Sequence, residues 1–351
     1  MNAEPEILFD RHGVAGVVTL NRPRALNALT HGMVQALARQ LANWQDDPSV
    51  KRVVVRAAGE RAFCAGGDIR ALHDLGRAGR HDEALRFWAD EYRLNAMIKR
   101  YSKPYIALID GMVMGGGVGI SVHGTYRIAG DKFVFAMPEV GIGFFPDVGA
   151  TWFLPRMPAE TGTFCALTGE RLKAADAIGF GIATHRVGST RFPALYEALG
   201  ADDPVDDILA SFAEPLEPGP LMARVGAIEY LFAGDTFDAI MARLDEVSAA
   251  FGQERGFAAA TEATILAKSP TSLKVTLAQL RRGKALTFED CMRLEYRIVS
   301  RMVHGHDFYE GVRAVIIDKD NQPAWQPARL RDVSDAAVDA YFAPLEAELE
   351  L

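Results

Sequence analysis

Short apolar runs of strand character alternate with helical patterns through the first half of the chain, and this alternation limits the folds open to it. Strands are predicted at residues 13–20, 53–55, 105–109 and 133–136. Helices are predicted from Thr30, a suitable N-cap, to about Trp44, from Asp68 onward, from Asp82 to about Lys99, and from Gly115 onward. The alternation favours an α/β core. Because the strands are very short, we expect a spiral of small ββα units rather than a regular β/α barrel.

The composition and pattern of the sequence change at about residue 191. Residues 201–220 are rich in Asp, Glu and Pro, which predicts a solvated connector. Helical patterns follow at residues 221–232, 237–251, 261–267 and 287–304, with an irregular but ordered tail at 318–330. We therefore expect two regions: a catalytic core over residues 1–200, and a connector with a C-terminal helical region over residues 201–351.

Composition disfavours several classes of protein. The chain has 38 basic and 46 acidic residues and a net charge of -8, so no nucleic-acid partner is expected. Its three cysteines, Cys64, Cys165 and Cys291, suggest neither a disulfide framework nor a metal site, which favours a reducing compartment. Residues 1–6 resemble neither a signal peptide nor a transit peptide, and no apolar stretch reaches membrane-spanning length. We expect a soluble cytoplasmic protein with no membrane partner.

Two glycine-rich stretches carry the main functional signal: Ala65-Gly66-Gly67-Asp68 and Gly115-Gly116-Gly117. Glycine lets a bare backbone N–H approach a reacting group, and two such groups that converge on one carbonyl oxygen form an oxyanion hole. The simpler interpretation is a turn with an Asp68 N-cap for the first stretch and close helix–strand packing for the second. Four glycines among residues 115–119 cost about 1 kcal/mol each relative to alanine in a helix, and an exposed N–H at a helix start would justify that cost.

The second glycine run does not match two better-known motifs. The dinucleotide fingerprint G-x-G-x-x-G needs a glycine at its sixth position, where this chain has Ile120 or Val122, depending on the starting glycine. A serine nucleophile elbow needs a glycine two residues after Ser121, where this chain has His123. An unrelated α/β oxidoreductase is therefore disfavoured.

Two acids, Glu139 and Asp147, each follow a proline in an apolar loop over residues 137–149. A carboxylate there is partly desolvated, and a second one close by raises one of the two pKa values, which suits general acid–base or nucleophilic work. The alternative is that the acids are helix N-caps, which fits Asp147 before Val148. Glutamate is a poor N-cap, so Glu139 is the stronger functional candidate.

For three further groups of residues, the sequence favours a structural role over a functional one. Cys64 follows Phe63 in a turn of small residues, so we expect an inert buried thiol. His304 and His306 lack a third ligand at a suitable spacing, so no metal site is expected. The basic cluster at residues 281–284 is predicted to be a solvated turn, with contact to an anionic ligand as the alternative.

Residues 20–23 and 26–29, taken with the two glycine stretches, resemble the N-terminal signature and the oxyanion elements of the enoyl-CoA hydratase/isomerase family, also called the crotonase family. The resemblance implies a crotonase-like α/β spiral of ββα units with a C-terminal helical region. The N–H groups of Gly67 and Gly116 would hold the carbonyl oxygen of a CoA thioester. It further implies no cofactor beyond the coenzyme A of the acyl-CoA substrate, and a homo-oligomer, either a trimer or a hexamer.

Within that family the chain is most similar to the branch that hydrolyses 3-hydroxyisobutyryl-CoA. The similarity is carried by residues 114–124, 136–139, 143–149, 269–274 and 305–314. Hydratases of the family use two glutamates, and this chain has Gly119 where the first would stand. The resemblance therefore implies hydrolysis of a short 3-hydroxyacyl-CoA thioester in valine catabolism. The alternatives are an enoyl-CoA hydratase or isomerase on the same fold and a non-catalytic acyl-CoA-binding protein.

The same resemblance implies roles for individual residues. Glu139 would either attack the thioester to form an anhydride or activate water, and Asp147 would hold the substrate hydroxyl or assist proton transfer. Glu91 matches an acid that contacts substrate in this family, although its local sequence alone predicts a solvated helix face. The remaining substrate-binding candidates are Ala65, Asp68 and, for the CoA phosphates, Arg24.

Overall fold

A computed structural model describes residues 4–351 of the chain. Its strands are β1 (Ile7–His12), β2 (Ala15–Leu20), β3 (Arg52–Ala57), β4 (Ala62–Cys64), β5 (Tyr105–Ile109), β6 (Met112–Met114), β7 (Tyr126–Ala129), β8 (Val134–Ala136), β9 (Leu172–Lys173) and β10 (His185–Arg186). Its α-helices are α1 (His31–Asp46), α2 (Ile69–Arg77), α3 (His81–Lys99), α4 (Gly116–Gly119), α5 (Ala150–Phe153), α6 (Thr161–Thr168), α7 (Ala174–Gly179), α8 (Phe192–Leu199), α9 (Val205–Phe212), α10 (Val225–Phe232), α11 (Phe237–Ala249), α12 (Arg255–Leu266), α13 (Pro270–Gly283), α14 (Phe288–Met302), α15 (His306–Val312) and α16 (Asp335–Ala340).

The strands form two sheets. One has six strands in the order β1, β2, β3, β5, β7, β10, and the other has four in the order β4, β6, β8, β9. The pairs β1–β2 and β8–β9 are antiparallel, and the remaining pairs are parallel. Strands β3, β5 and β7 of the first sheet are each followed along the chain by a strand of the second sheet. This repeated pairing is the α/β spiral that the sequence predicts, and the prediction is confirmed.

The chain divides into two compact units, each assembled from three segments. The first unit contains the chain up to Asp68 together with Asp90–Ala136 and Arg171–Met222, and it holds both sheets. The second unit contains Ile69–Ala89, Met137–Glu170 and Ala223–Leu351. The predicted boundary near residue 200 falls within the last segment of the first unit. The division into a catalytic core over residues 1–200 and a C-terminal helical region over residues 201–351 stays a prediction.

In the first unit, helices cover both faces of the six-stranded sheet. Alternate strand residues such as Val17, Val54 and Ile106 are buried in one cluster with apolar residues of α8 and α9. On the other face, a Cβ atom on Gly16 would stand 2.7 Å from the ring of Trp44, so the glycine lets α1 pack directly on β2. Burying each leucine-sized side chain in this way contributes about 1.5–3 kcal/mol.

Several elements lie where the sequence predicts them. The hydroxyl of Thr30 accepts the amide hydrogen of Met33 at 3.2 Å and caps α1, whose buried face includes Leu37 and Leu41. The four predicted strands correspond to β2, β3, β5 and β8, and the helix predicted from Asp82 corresponds to α3. Residues 318–329 form neither helix nor strand, as predicted.

Other elements differ from the prediction. The solvated connector is wrong in part, because α9 lies within residues 201–220 and buries Val205, Ile208 and Leu209. The helix predicted from Gly115 is the single turn α4. Strand β1 and the long helix α13 are not among the predicted elements.

Candidate active site

The first glycine turn follows β4 and is tied to the segment before α1. The amide of Leu29 donates to the carbonyl of Gly66 at 2.8 Å, and the amide of Asp68 donates to the carbonyl of Leu29 at 2.9 Å. The guanidinium of Arg22 pairs with the carboxylate of Asp68 at 3.0 Å. These contacts fix the turn on both sides of Gly67. Within residues 4–351, the Gly67 amide donates no backbone hydrogen bond.

The second glycine turn lies beside the first. Gly115 has a φ of +46°, which side-chain-bearing residues rarely adopt, and it leads into α4. A Cβ atom on Gly116 would stand 3.2 Å from the amide nitrogen of Gly67, and one on Gly117 would clash with the carbonyl of Cys64. Close packing and a pair of neighbouring amides therefore both require these glycines. Because α4 is a single turn, the charge of a helix dipole at Gly116 is small.

Glu91 on α3 is buried next to the second glycine turn. Its side chain is 2% exposed, and a Cβ atom on Gly116 would clash with its Oε1 atom. The solvated helix face that the local sequence predicts is therefore wrong. Gly67, Gly116 and Glu91 are brought together in the first unit.

Cys64 lies within the same group and is fully buried. Burial, reinforced by the nearby charge of Glu91, raises the pKa of its thiol to about 12. A thiol with such a pKa is almost entirely protonated at neutral pH and is a poor nucleophile. The predicted burial of this thiol is confirmed, and its lack of reactivity stays a prediction.

Glu139 and Asp147 are brought together in the second unit. Glu139 begins the 3₁₀ turn Glu139–Ile142 and is 7% exposed, and Asp147 is 4% exposed. Burial, with the charge of Asp147 adding to it, raises the pKa of Glu139 well above its ordinary value. Within residues 4–351, the buried Oε2 atom of Glu139 has no hydrogen-bond partner. A carboxyl group whose pKa is raised by burial holds its proton more tightly than an exposed one and is a stronger base once ionised, which suits general acid–base chemistry.

Aromatic packing holds the segment between the two acids. The ring of Phe144 lies 5.6 Å from that of Trp88 and 5.5 Å from that of Phe308, measured between centroids. Gly143 has a φ of +69°, and a side chain there would clash with the backbone of Asp307. The 3₁₀ turn is tied down by the amide of Ser269, which donates to the carbonyl of Val140 at 3.2 Å. The acids therefore sit on a rigid support.

Glu295 on α14 is a buried acid that sequence reasoning missed. Its carboxylate accepts hydrogen bonds from the amides of Gly149 at 2.8 Å and Thr151 at 2.9 Å. Burial raises its pKa to about 8; the hydrogen bond from Gly149 opposes this shift, and the charge of Asp147 adds to it. One feature of the sequence could have revealed it. Glu295 occupies the apolar stripe of its helix, four residues after Cys291 and three before Ile298.

The family follows from comparison with known proteins. The Enoyl-CoA hydratase/isomerase family model matches residues 15–342. The chain belongs to the enoyl-CoA hydratase/isomerase family. This membership confirms the resemblance that the glycine stretches and the N-terminal signature carry.

Individual members of the family are similar over nearly the whole chain. The mitochondrial 3-hydroxyisobutyryl-CoA hydrolase of Danio rerio is 45% identical and aligns with 98% of this chain and 91% of its own length. The corresponding enzyme of Xenopus tropicalis is also 45% identical, over 97% of this chain and 89% of its own. A crystal structure of a carnitinyl-CoA dehydratase from Mycobacterium thermoresistibile is 44% identical, covers 99% of both chains and superposes with a TM-score of 0.93.

The remaining sequence candidates have varied surroundings in this family member. Arg24 is exposed in a 3₁₀ turn, and Ala65 is half-buried. The predicted solvated turn at residues 281–284 is wrong for Arg281, which pairs with Glu160 at 2.8 Å and donates to the carbonyl of Phe232 at 2.7 Å. Its guanidinium therefore serves the fold of the second unit.

The histidines near the C-terminus have protein neighbours. The ring of His304 lies 4.3 Å from that of His81, and the ring of His306 lies 3.1 Å from the carboxylate of Asp307. Across residues 4–351, no three His, Cys, Asp or Glu side chains are grouped so as to hold a metal ion. In the same range, no helix is both long and apolar enough to cross a membrane.

Proposed function

We propose that the chain hydrolyses 3-hydroxyisobutyryl-CoA to 3-hydroxyisobutyrate and coenzyme A, a reaction of valine catabolism. The observation that carries this proposal is the 45% identity to 3-hydroxyisobutyryl-CoA hydrolases over nearly the full chain. Thiol release from the purified protein with 3-hydroxyisobutyryl-CoA tests it.

The amides of Gly67 and Gly116 bind the thioester carbonyl in this proposal. Their proximity supports a shared target, since the Gly67 nitrogen stands 3.2 Å from the Cβ position of Gly116. When the carbonyl carbon becomes tetrahedral, its oxygen gains negative charge, and two fixed N–H donors stabilise it. Losing one such donor costs about 3 kcal/mol of transition-state stabilisation.

Glu139 carries the hydrolysis by one of two routes. In the first, its carboxylate attacks the carbonyl carbon, the C–S bond breaks, and water then hydrolyses the acyl anhydride. In the second, it removes a proton from the water that attacks. Its raised pKa and the unpartnered Oε2 atom support both routes, because a poorly solvated carboxylate is a stronger base and nucleophile. A single turnover in ¹⁸O-labelled water separates them, because only the anhydride route can place the label in Glu139.

Asp147 and Glu91 bind the acyl part of the substrate. Asp147 holds the 3-hydroxyl group or assists proton transfer, and Glu91 orients the acyl chain beside the Gly116 amide. Ala65, Asp68 and Arg24 contact the CoA portion. Because the carboxylate of Asp68 is paired with Arg22 at 3.0 Å, we expect the backbone of this turn to contact the substrate.

A hydratase or dehydratase that leaves the thioester intact is the second candidate. It is favoured by the 44% identity to the Mycobacterium thermoresistibile protein, which is named a carnitinyl-CoA dehydratase. Gly119 counts against the version that uses two glutamates, since it supplies no carboxylate. A protein that consumes crotonyl-CoA without releasing thiol would support this candidate, and one that binds acyl-CoA and changes neither substrate would be a non-catalytic binding protein.

Three further properties belong to the same proposal. Hydrolysis consumes only water, so we propose no cofactor beyond the coenzyme A of the substrate, and prior dialysis against EDTA should leave the rate unchanged. We propose a trimer or hexamer, which light scattering on the purified protein tests. The sequence predicts a cytoplasmic location, whereas the relatives are named as mitochondrial, and cell fractionation separates the two.

A further inference from the structure

The backbone immediately after Asp147 is strained. Val148 has a φ of +53° and Gly149 a φ of +91°, so two consecutive residues adopt left-handed conformations. A β-branched residue in this region is a genuine outlier, because its Cβ substituents crowd the backbone. Such strain persists only where surrounding contacts hold it, and it clusters at functional sites.

Two fully buried side chains hold this turn from both ends. The side-chain Nε2 atom of Gln279 on α13 donates to the carbonyl of Pro146 at 2.6 Å and to the hydroxyl of Thr151 at 2.7 Å. The carboxylate of Glu295 on α14 accepts the amides of Gly149 and Thr151. The backbone is therefore bonded on each side of Asp147 and Val148, and each bond comes from a helix distant in sequence.

We propose that Glu295 and Gln279 are positioning residues for Asp147, forming a two-helix clamp that keeps the strained turn in the conformation catalysis needs. The inference rests on the proposed function, in which Asp147 acts on the substrate. Neither residue needs to touch substrate. Their effect passes through the backbone of residues 146–151.

The alternative is that Glu295 and Gln279 only stabilise the fold. The ionisation of Glu295 distinguishes this purely structural role from a positioning role. The charge of Asp147 adds to the raised pKa of Glu295, and the charges of Glu295 and Arg156 both act on Cys291, one turn earlier on the same helix. Because the pKa of Glu295 is about 8, its ionisation places a second negative charge beside Asp147 in an accessible pH range. A clamp coupled to catalysis makes the reaction rate sensitive to that ionisation, whereas a remote structural cap does not.

Glu295→Gln tests the inference, with Gln279→Leu as the second variant. Glu295→Gln keeps the size of the side chain and one hydrogen-bond acceptor. It replaces the second acceptor with an NH2 donor, which then points at a backbone N–H donor. We expect each variant to lower kcat by about 10- to 100-fold while KM changes by less than threefold. Wild type should show a transition in kcat near pH 8 that Gln279→Leu keeps and Glu295→Gln loses.

Asp176→Asn is the matched control. Asp176 is also a buried carboxylate that accepts two backbone amides, but they are those of Leu221 and Met222 in the first unit. The Asp176→Asn variant should be less stable than wild type but keep the wild-type kcat and the wild-type pH profile. If Glu295→Gln behaves in the same way, the clamp is only structural and the inference is overturned.

Crystal structures separate failure of the clamp from failure of the proposed function. If wild type releases no thiol from 3-hydroxyisobutyryl-CoA, the proposed function is wrong, and the clamp is judged on the Glu295→Gln structure alone. A Val148 that relaxes to negative φ in that structure supports the clamp. A Val148 that keeps its left-handed conformation contradicts it.

Discussion

The amide nitrogen of Gly67 lies 3.2 Å from the point where a Cβ atom of Gly116 would stand. The two residues are far apart in the sequence, and β4 and β6, which are paired in parallel, deliver them to the same place. Neighbouring parallel strands therefore bring two glycine turns together, and no side chain is present to separate them.

Gly116→Ala should lower kcat/KM by about 100-fold, because displacing the two amides should cost about as much as losing one oxyanion donor. The added methyl group would press on the Gly67 amide and clash with the carboxylate of Glu91, which is buried and has little room to move. Steady-state thiol release measures the effect.

The control for this substitution is Gly226→Ala on α10. Nothing lies within 4 Å of a Cβ atom at Gly226, so the change should keep activity and raise the free energy of unfolding by up to about 1 kcal/mol. Full activity in Gly116→Ala would contradict the close approach of residue 116 to the Gly67 amide and to Glu91, on which the proposed arrangement of the two donors rests.

Glu139→Gln should lower kcat by a factor of about 1,000 or more while the chain stays folded. The amide cannot act as base or nucleophile, and it is easier to bury than a carboxylate whose pKa is raised by burial and by Asp147. Thiol release and thermal unfolding should be measured on the same preparation. A variant within tenfold of wild-type activity would exclude Glu139 from the chemistry.

Much of the fold could be predicted because its local signals agree with its packing. Helix α1 has a Thr30 cap and an apolar stripe, and β5 is a fully apolar run. Helix α13 is not among the predicted elements, although Ser269-Pro270 is a helix-start signal and Leu273, Leu277 and Leu280 keep a helical spacing. What the spacing does not reveal is that the polar residues just before these leucines, Ser272, Thr276 and Gln279, are also fully buried.

The candidate site shows the same division. Glycine and proline mark the turns that carry Gly67, Gly116, Glu139 and Asp147, so these residues stand out in the sequence. Glu91 does not, since an acid on a helix is normally solvated, and only the resemblance to a family singled it out. The burial of both Glu91 and Glu295 depends on contacts made by residues far away in the sequence.

Stability should fall as the pH rises from about 5 to 8. Glu295 has a pKa of about 8 in the folded chain, above its ordinary value, so the folded state binds the proton more tightly than the unfolded state. Its contribution is full at low pH and is lost as the pH rises through the folded pKa. Denaturant unfolding of Glu295→Gln should show a weaker decline over this range, by an amount on the order of 3 kcal/mol. Parallel slopes for the two proteins would contradict the raised pKa.

The three cysteine thiols should not react with thiol reagents in the native protein. All three are buried, and burial raises the pKa of both Cys64 and Cys291 to about 12. A disulfide reagent should therefore modify no thiol in the native chain and three after unfolding. Cys64→Ala should keep hydrolysis within about threefold of wild type, and a 100-fold loss would point to a chemical role for the thiol.

The most direct measurement gives the purified protein 3-hydroxyisobutyryl-CoA and, separately, crotonyl-CoA, and follows both free thiol and the enoyl double bond. We predict rapid release of one thiol per 3-hydroxyisobutyryl-CoA and no hydration of crotonyl-CoA. Hydration of crotonyl-CoA with no thiol released from either substrate would contradict the assignment as a thioester hydrolase.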